Sequence, residues 1–309
     1  AYNEESVNHR STKRLHGKQK CDAFDKQNIN RNNTTPALEQ MTDDINIKGK
    51  TFKLKTCSAN VCTLCPATSK VIGLDTCGRT TLLEKQFNSQ AYDIVGIQEG
   101  RARQEHTSTG ASYCMYAMAA TSGGQYGVQI WLHSQKFEKP TAIRPVSSRL
   151  IMLACKHKPS NRGLIVVSGH APIEGSAHNV KEKYHDDLHS NLRNMCMSYP
   201  NYDVVLLTDA NGTIGPAEGS SGIGQCEAAR TTDNGRLLAA TLNEFQLSAT
   251  NTFYKAGPTF AHAKGNKRRI DYVAVSDRLH KHASNSYVDH RIVLNTCDKD
   301  DHYVITAEY

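Results

Sequence analysis

Apolar positions come in short runs of strand length from Thr51 to the end of the chain. Phe52–Val61, Tyr92–Gln98, Tyr113–Ala119, Gly127–Leu132, Arg149–His157 and Gly163–His170 are rich in β-branched or aromatic residues and predict strands. Tyr202–Leu207, Leu247–Asn251, Pro258–His262, Arg269–Ser276 and Asp301–Glu308 read the same way. Two stretches change period. Val180, Tyr184, Leu188, Leu192, Met195 and Cys196 recur at three and four, which predicts a helix over Asn179–Tyr199, ended by Pro200. Leu237, Leu238 and Leu242 predict a second helix over Asn234–Phe245. Gly265-Asn266 falls between two strand runs and predicts a hairpin turn. Many strands with interspersed helices predict α/β layers. Periodicity alone leaves two packed sheets and a single open sheet both open.

Residues 1–50 have no such period. They are rich in Asn, Lys, Gln and Thr, a composition that buries little surface, so this segment is expected to be a flexible polar arm. Residues 51–309 are expected to form the folded domain, long enough for a sizeable core. No apolar run is long enough to span a bilayer, and no secretory leader is visible, so a nuclear or cytoplasmic protein is expected. Two glycosylation patterns, Asn32-Asn33-Thr34 and Asn211-Gly212-Thr213, do not change that expectation. The ten cysteines form no dense framework, and Cys57 and Cys155 fall in predicted core strands, so reduced thiols are expected. Cys62-x-x-Cys65, with Cys57 and Cys77 nearby, raises a zinc cluster. With one CxxC and irregular neighbours, small thiols are the better reading. The net charge of +7 points weakly to an anionic partner such as nucleic acid.

The chemistry gathers at strand ends. Asn60, Glu99 and His170 close predicted strands, Asp209 and Asn211 follow one, Asp271 lies within one, and Asp301-His302 precede the last. One polar residue in such a place is a turn starter. Several, on strands far apart in sequence, suit one cluster at a common sheet edge. Carboxylates, amides and imidazoles are the groups needed to hold a hard cation, activate water and protonate a leaving alkoxide.

Ile97-Gln98-Glu99, Ser168-Gly169-His170-Ala171-Pro172, Leu206-Leu207-Thr208-Asp209-Ala210-Asn211-Gly212, Ile270-Asp271-Tyr272-Val273 and Asp301-His302 resemble, in order and spacing, the motifs of the endonuclease/exonuclease/phosphatase (DNase I-like) superfamily. Asp233-Asn234-Gly235-Arg236-Leu237-Leu238, Asn251-Thr252-Phe253, Pro258-Thr259-Phe260 and Arg268-Arg269-Ile270-Asp271-Tyr272 look most like the endonuclease domain of non-LTR retrotransposons. The resemblance implies a four-layered α/β sandwich of two packed mixed sheets flanked by helices. It implies a Mg²⁺-dependent endonuclease, with Mn²⁺ as the alternative cation, nicking DNA as a monomer. It also implies a possible origin as a fragment of a polyprotein with a reverse transcriptase. Glu99 would be the principal metal ligand, helped by Asn60, with Asp301 nearby. Asp209 and Asn211 would orient the attacking water and hold a phosphate oxygen. His302, its ring oriented by Asp271, would contact the phosphate and move a proton, and His170 would be an acid or phosphate contact on the leaving-group side. Arg101 matches a DNase I arginine that enters the minor groove, with a plain surface arginine as the alternative.

The sequence departs from the pattern at several places. Gly-Asp-Phe-Asn becomes Thr208-Asp209-Ala210-Asn211. Cys62 stands where apurinic enzymes carry an aspartate. No acidic residue between Glu105 and Glu138 is available to orient His170. Lys264, Lys267, Arg268 and Arg269 flank the predicted hairpin as either a phosphate clamp or a solvated turn. A phosphatase or other phosphodiesterase on the same scaffold, and an inactive DNA-binding relic, remain as rival readings.

Overall fold

The computed structural model describes residues 52–64, 78–216, 222–262, 264–294 and 301–309. The expected arm, Cys65, Cys77 and Asn32 lie outside these residues. The elements in chain order are β1 (Lys55–Asn60), α1 (Arg79–Ser89), β2 (Ile94–Gln98), β3 (His106–Thr109), β4 (Tyr113–Ala117), β5 (Gln129–His133), β6 (Ala142–Ser147), β7 (Leu150–His157) and β8 (Arg162–His170). They continue with α2 (His178–Ser198), β9 (Asp203–Asp209), α3 (Asp233–Glu244), β10 (Leu247–Ala249), β11 (Phe260–Ala261), β12 (Lys267–Arg268), β13 (Asp271–Ser276), α4 (Asp277–His280), β14 (Asn285–Val288) and β15 (Ile305–Glu308).

One sheet has the order β14-β15-β1-β2-β5-β4-β3 and the other β10-β13-β9-β8-β7-β6, with β11-β12 a separate hairpin. Each large sheet is mixed. β1 and β2 run parallel in the first, β8 and β9 in the second, among antiparallel neighbours.

Strand alternation builds the layers. Leu164, Val166, Val205, Leu207, Val273 and Val275 turn inward and meet Ile94, Ile130, Leu132 and Ile305 of the first sheet. Their neighbours Ile165, Val167, Val204, Leu206 and Ala274 turn outward and are covered by Leu188, Leu192 and Met195 of α2 and Leu238 and Leu242 of α3. On the far side, Cys57, Ala59, Val95 and Ile97 are covered by Leu83 and Phe87 of α1. Strands buried on both faces explain why β8 and β9 read as continuous apolar runs. The result is the four-layered sandwich, helix on sheet on sheet on helix.

Gly96 lets the sheets close, because a Cβ there would lie 2.5 Å from the Leu207 Cβ. Just beyond it a buried polar staple joins the two sheets. Gln98 Nε2 donates to Ser168 Oγ (3.3 Å) and Leu207 O (3.4 Å), and Ser168 Oγ donates to Ile97 O (3.1 Å).

Several expectations are revised. Val180 is exposed, and the buried face of α2 instead includes Lys181 and His185. The last strand begins at Ile305 because His302 pairs with Phe260 of β11. α1, β3, β6, β14 and α4 carry too few periodic apolar positions to be read from sequence. The cysteines among the described residues, Cys57, Cys62, Cys114, Cys155, Cys196 and Cys226, are thiols without disulfides.

Candidate active site

Register brings the strand ends together. Parallel β8 and β9 place His170 opposite Asp209, and antiparallel β9 and β13 place Asp271 opposite Asp209. β1 and β2 end side by side at Asn60 and Gln98, one residue short of Glu99. Asp209 is the meeting point. Its Oδ2 accepts from Asn60 Nδ2 at 3.0 Å and faces His170 Nε2 at 3.7 Å and His302 Nε2 at 3.9 Å. Its Oδ1 accepts the Asn211 N–H at 2.9 Å. Glu99 lies on the same side, with Oε1 at 3.4 Å from Asn60 Nδ2 and 3.9 Å from His170 Nε2. Asp301 reaches the group through Cys62, whose thiol lies 3.6 Å from Asp301 Oδ1 while its N–H donates to Asn60 Oδ1.

The charges sort into two poles. Burial works against a charged His302 ring, but the Asp271 and Asp209 carboxylates outweigh it and hold its pKa up at about 10. His302 is therefore an imidazolium near neutral pH, and its Nδ1–H donates to Asp271 Oδ2 at 3.2 Å. His170 goes the other way. Burial pushes its pKa below the ordinary value, and Asp209 and Glu99 offset this only in part. With a neutral ring, its 3.7 Å approach to Asp209 is not an ion pair. Burial, then the Asp271 charge, raises the pKa of Asp209, with His302 and His170 pulling it back. Burial also opposes the Glu99 charge, but the hydrogen bond from Arg101 and the nearby His170 lower its pKa overall.

Asp209, Asp271 and His302 offer ligand atoms close enough to surround an ion. The Asp271 hydrogen bond holds the His302 ring between the two carboxylates. Glu99, Asn60 and Asp301 are hard oxygen donors. The Glu99 side chain is 23% exposed while Asp209 is 1% exposed, which leaves room at Glu99 for the waters that Mg²⁺ retains.

Three supports escaped sequence reasoning. Among the described residues no carboxylate lies within hydrogen-bond distance of the His170 ring. Arg149 Nη1 donates instead to His170 O and Ala171 O (3.0 and 3.1 Å) and lies 3.5 Å over the Tyr126 ring. That ring packs against His170 at 5.7 Å. Asn234, at the start of α3, donates to Pro172 O and Asn211 O, joining the loops that carry His170 and Asn211. Glu174 accepts the Asp233 and Asn234 N–H groups, a carboxylate seated at a helix N-terminus. Gly212 makes the fit possible, since a Cβ there would lie 2.6 Å from the Asn234 Cβ.

The expected DNA-facing residues divide. Lys264, Lys267 and Arg268 are exposed around the β11–β12 turn, where Gly265 takes φ +89°. Arg269 departs from the expectation. It is buried, and its guanidinium donates to Asn251 O, Cys226 O and Glu227 O, so it fastens loops and presents little to solvent. Arg101 is part-exposed and bonded to Glu99 Oε2 at 2.6 Å.

No family model matches the chain, and no curated protein matches it in sequence. Solved structures do match. The endonuclease domain of TRAS1, a telomere-specific non-LTR retrotransposon, aligns with TM-score 0.55 and 16% identity over 82% of this chain and 97% of that one. The AP endonuclease LMAP from Leishmania major aligns with TM-score 0.59 and 13% identity over 83% and 87%. An endonuclease/exonuclease/phosphatase family protein from Bacteroides thetaiotaomicron aligns with TM-score 0.56 and 12% identity over 84% and 98%. The chain has the endonuclease/exonuclease/phosphatase fold. Within it, the retrotransposon endonuclease domain is one of the structures it resembles.

Proposed function

We propose that residues 51–309 form a Mg²⁺-dependent phosphodiesterase that nicks DNA, with Mn²⁺ able to substitute. The observation that carries this reading is the convergence on Asp209 Oδ2 of Asn60, His170 and His302, within 3.0–3.9 Å, beside the Glu99 carboxylate. Glu99, Asn60 and Asp301 would hold the cation. Bound there, it would neutralise charge on a phosphate oxygen.

The protein's own groups supply the rest. Asp209, whose burial raises its proton affinity, takes the proton of the attacking water. Asn211 helps to place that water, and its side chain is fixed by donation to Ala171 O at 2.9 Å. His302, held cationic by Asp271, puts positive charge against the scissile phosphate as negative charge develops, and its Nε2–H supplies the proton taken up by the leaving oxygen. His170, with its lowered pKa, is suited to contacting the phosphate and poorly suited to donating a proton. Lys264, Lys267 and Arg268 would hold the duplex backbone, and Arg101 would join them on the rim.

The test is nicking of supercoiled plasmid in Mg²⁺ or EDTA, by the parent and by Glu99→Gln. Nicking that needs Mg²⁺ and is lost in the variant, with its circular dichroism unchanged, is the expected result. Release of a terminal 3′-phosphate without nicking would replace the endonuclease reading with a phosphatase. DNA binding without hydrolysis would replace it with an inactive relic.

A further inference from the structure

Asp271 and His302 are 31 residues apart in sequence, yet their side chains must meet within a hydrogen bond. Neither large sheet joins them directly, because His302 precedes β15 and lies off the sheet edge. The short segment at Thr259-Phe260 lies between their carriers. On one side the Thr259 N–H donates to Arg268 O at 2.9 Å, and Thr259 Oγ1 accepts the N–H groups of Ile270 and Asp271, both at 3.0 Å. On the other side Thr259 O accepts the Tyr303 N–H at 2.8 Å, and the Ala261 N–H donates to Asp301 O at 2.7 Å. The Phe260 ring packs against the His302 imidazole, with centroids 4.9 Å apart and planes tilted by 57°. Thr259 is fully buried.

We propose that Thr259 and Phe260 are the positioning residues of the Asp271–His302 pair. The Thr259 hydroxyl sets where β13 begins and hence the height of the Asp271 carboxylate. Its carbonyl sets the height of residues 302–303. The Phe260 ring fixes the plane of the imidazole, so that Nδ1 meets Asp271 while Nε2 faces Asp209. A hydroxyl that receives two successive backbone N–H groups is specific to threonine or serine, since valine fills the same space and accepts neither. The kinetic arm of the proposal rests on the phosphodiesterase reading above. Its structural arm does not.

The experiment compares Thr259→Val, Thr259→Ser, Phe260→Leu and Phe260→Tyr. The first readout is the His302 Nδ1–H resonance in ¹⁵N-histidine-labelled protein at fixed pH, assigned by its loss in Asp271→Asn. The second is kcat and KM on a duplex oligonucleotide in Mg²⁺. Thr259→Val and Phe260→Leu are expected to shift or broaden the resonance. They should also lower kcat roughly 10- to 100-fold, with KM changed little, as small misplacements of reacting groups do. Thr259→Ser and Phe260→Tyr should restore both. Equal impairment of the Val and Ser variants would overturn the proposal, as would an unmoved resonance in Thr259→Val or, if that variant does not fold, in Phe260→Leu. A parent enzyme without hydrolysis would remove the phosphodiesterase reading, while the resonance would still decide the positioning.

Discussion

His185 makes the acid stability of this domain predictable. It lies on the buried face of α2, 6% exposed, with its ring edge-on to Tyr184 at 5.2 Å, and neither ring nitrogen has a hydrogen-bond partner among the described residues. Burial, with the nearby His189 and Arg236, lowers its pKa from 6.5 to about 4. The unfolded chain binds a proton near 6.5 and the folded chain does not until about 4, so stability rises with pH between these values. The His185 contribution to stability is therefore fully present above about pH 6.5 and is lost as pH falls toward 4. At roughly 1.4 kcal/mol per pH unit the loss is about 3 kcal/mol, a large part of a stability of 5–15 kcal/mol for typical domains. The assay is urea unfolding at pH 7.5, 5.5 and 4.0 for the parent and His185→Leu. The variant should show a decline smaller by about 3 kcal/mol. Equal slopes would refute the argument and mean that the ring finds a proton acceptor when charged. The result also bears on the site, because α2 packs against the sheet that carries His170 and Asp209. An acid limb of cleavage that disappears in His185→Leu reports folding and not a catalytic group.

Arg269→Met should destabilise the domain by about 3 kcal/mol, since three carbonyls lose charge-assisted partners, and should leave the salt dependence of DNA binding unchanged; a flattened salt slope with intact stability would return Arg269 to the DNA surface. Lys264→Ala with Lys267→Ala should weaken binding to unrelated duplexes alike and flatten the log–log salt slope by about 0.9 per lost phosphate contact. An unchanged slope would make the hairpin a solvated turn.

The strand-end residues were legible because a polar group joined to a doubly buried apolar run is conspicuous. Leu206-Leu207-Thr208-Asp209 is such a run, and the register of β8, β9 and β13 does the rest. Arg269 was not legible. Lys267-Arg268-Arg269 reads as one basic stretch, but the chain turns inward before β13 and takes the last of the three with it. Arg149 was hidden as well, because at the head of an apolar strand it looks like an edge residue. Its stacking on Tyr126 depends on a loop whose path is not encoded in any periodicity. α1 turns two large apolar residues, Leu83 and Phe87, toward the sheet, and β3 is His-Thr-Ser-Thr, so neither shows a period. Two packed sheets, left open by periodicity, follow from alternate residues of β8, β9 and β13 entering different cores.

The same end of the sandwich concentrates two kinds of cost. Asp209 and Asp271 are buried side by side, a cost that the His302 cation and the Asn60 and Asn211 hydrogen bonds offset. Burying such groups seldom stabilises a fold relative to apolar packing. Around them, Cys62 (φ 58°), Glu99 (φ 55°), Arg101 (φ 51°), Tyr126 (φ 68°) and Asn211 (φ 47°) take left-handed backbone without being glycine. Conformations of this kind cost on the order of 1 kcal/mol each. Their placement follows from the task of the turns. Glu99 sits directly after β2 and Asn211 two residues past the end of β9, where a right-handed continuation would carry the side chains away from Asp209. The left-handed turn brings the Asn211 N–H back onto Asp209 Oδ1 and the Glu99 carboxylate back toward Asn60. Strain and unfavourable charge thus have one geometric cause: each aims a polar group at the point where three strands bring Asn60, His170 and Asp209 together.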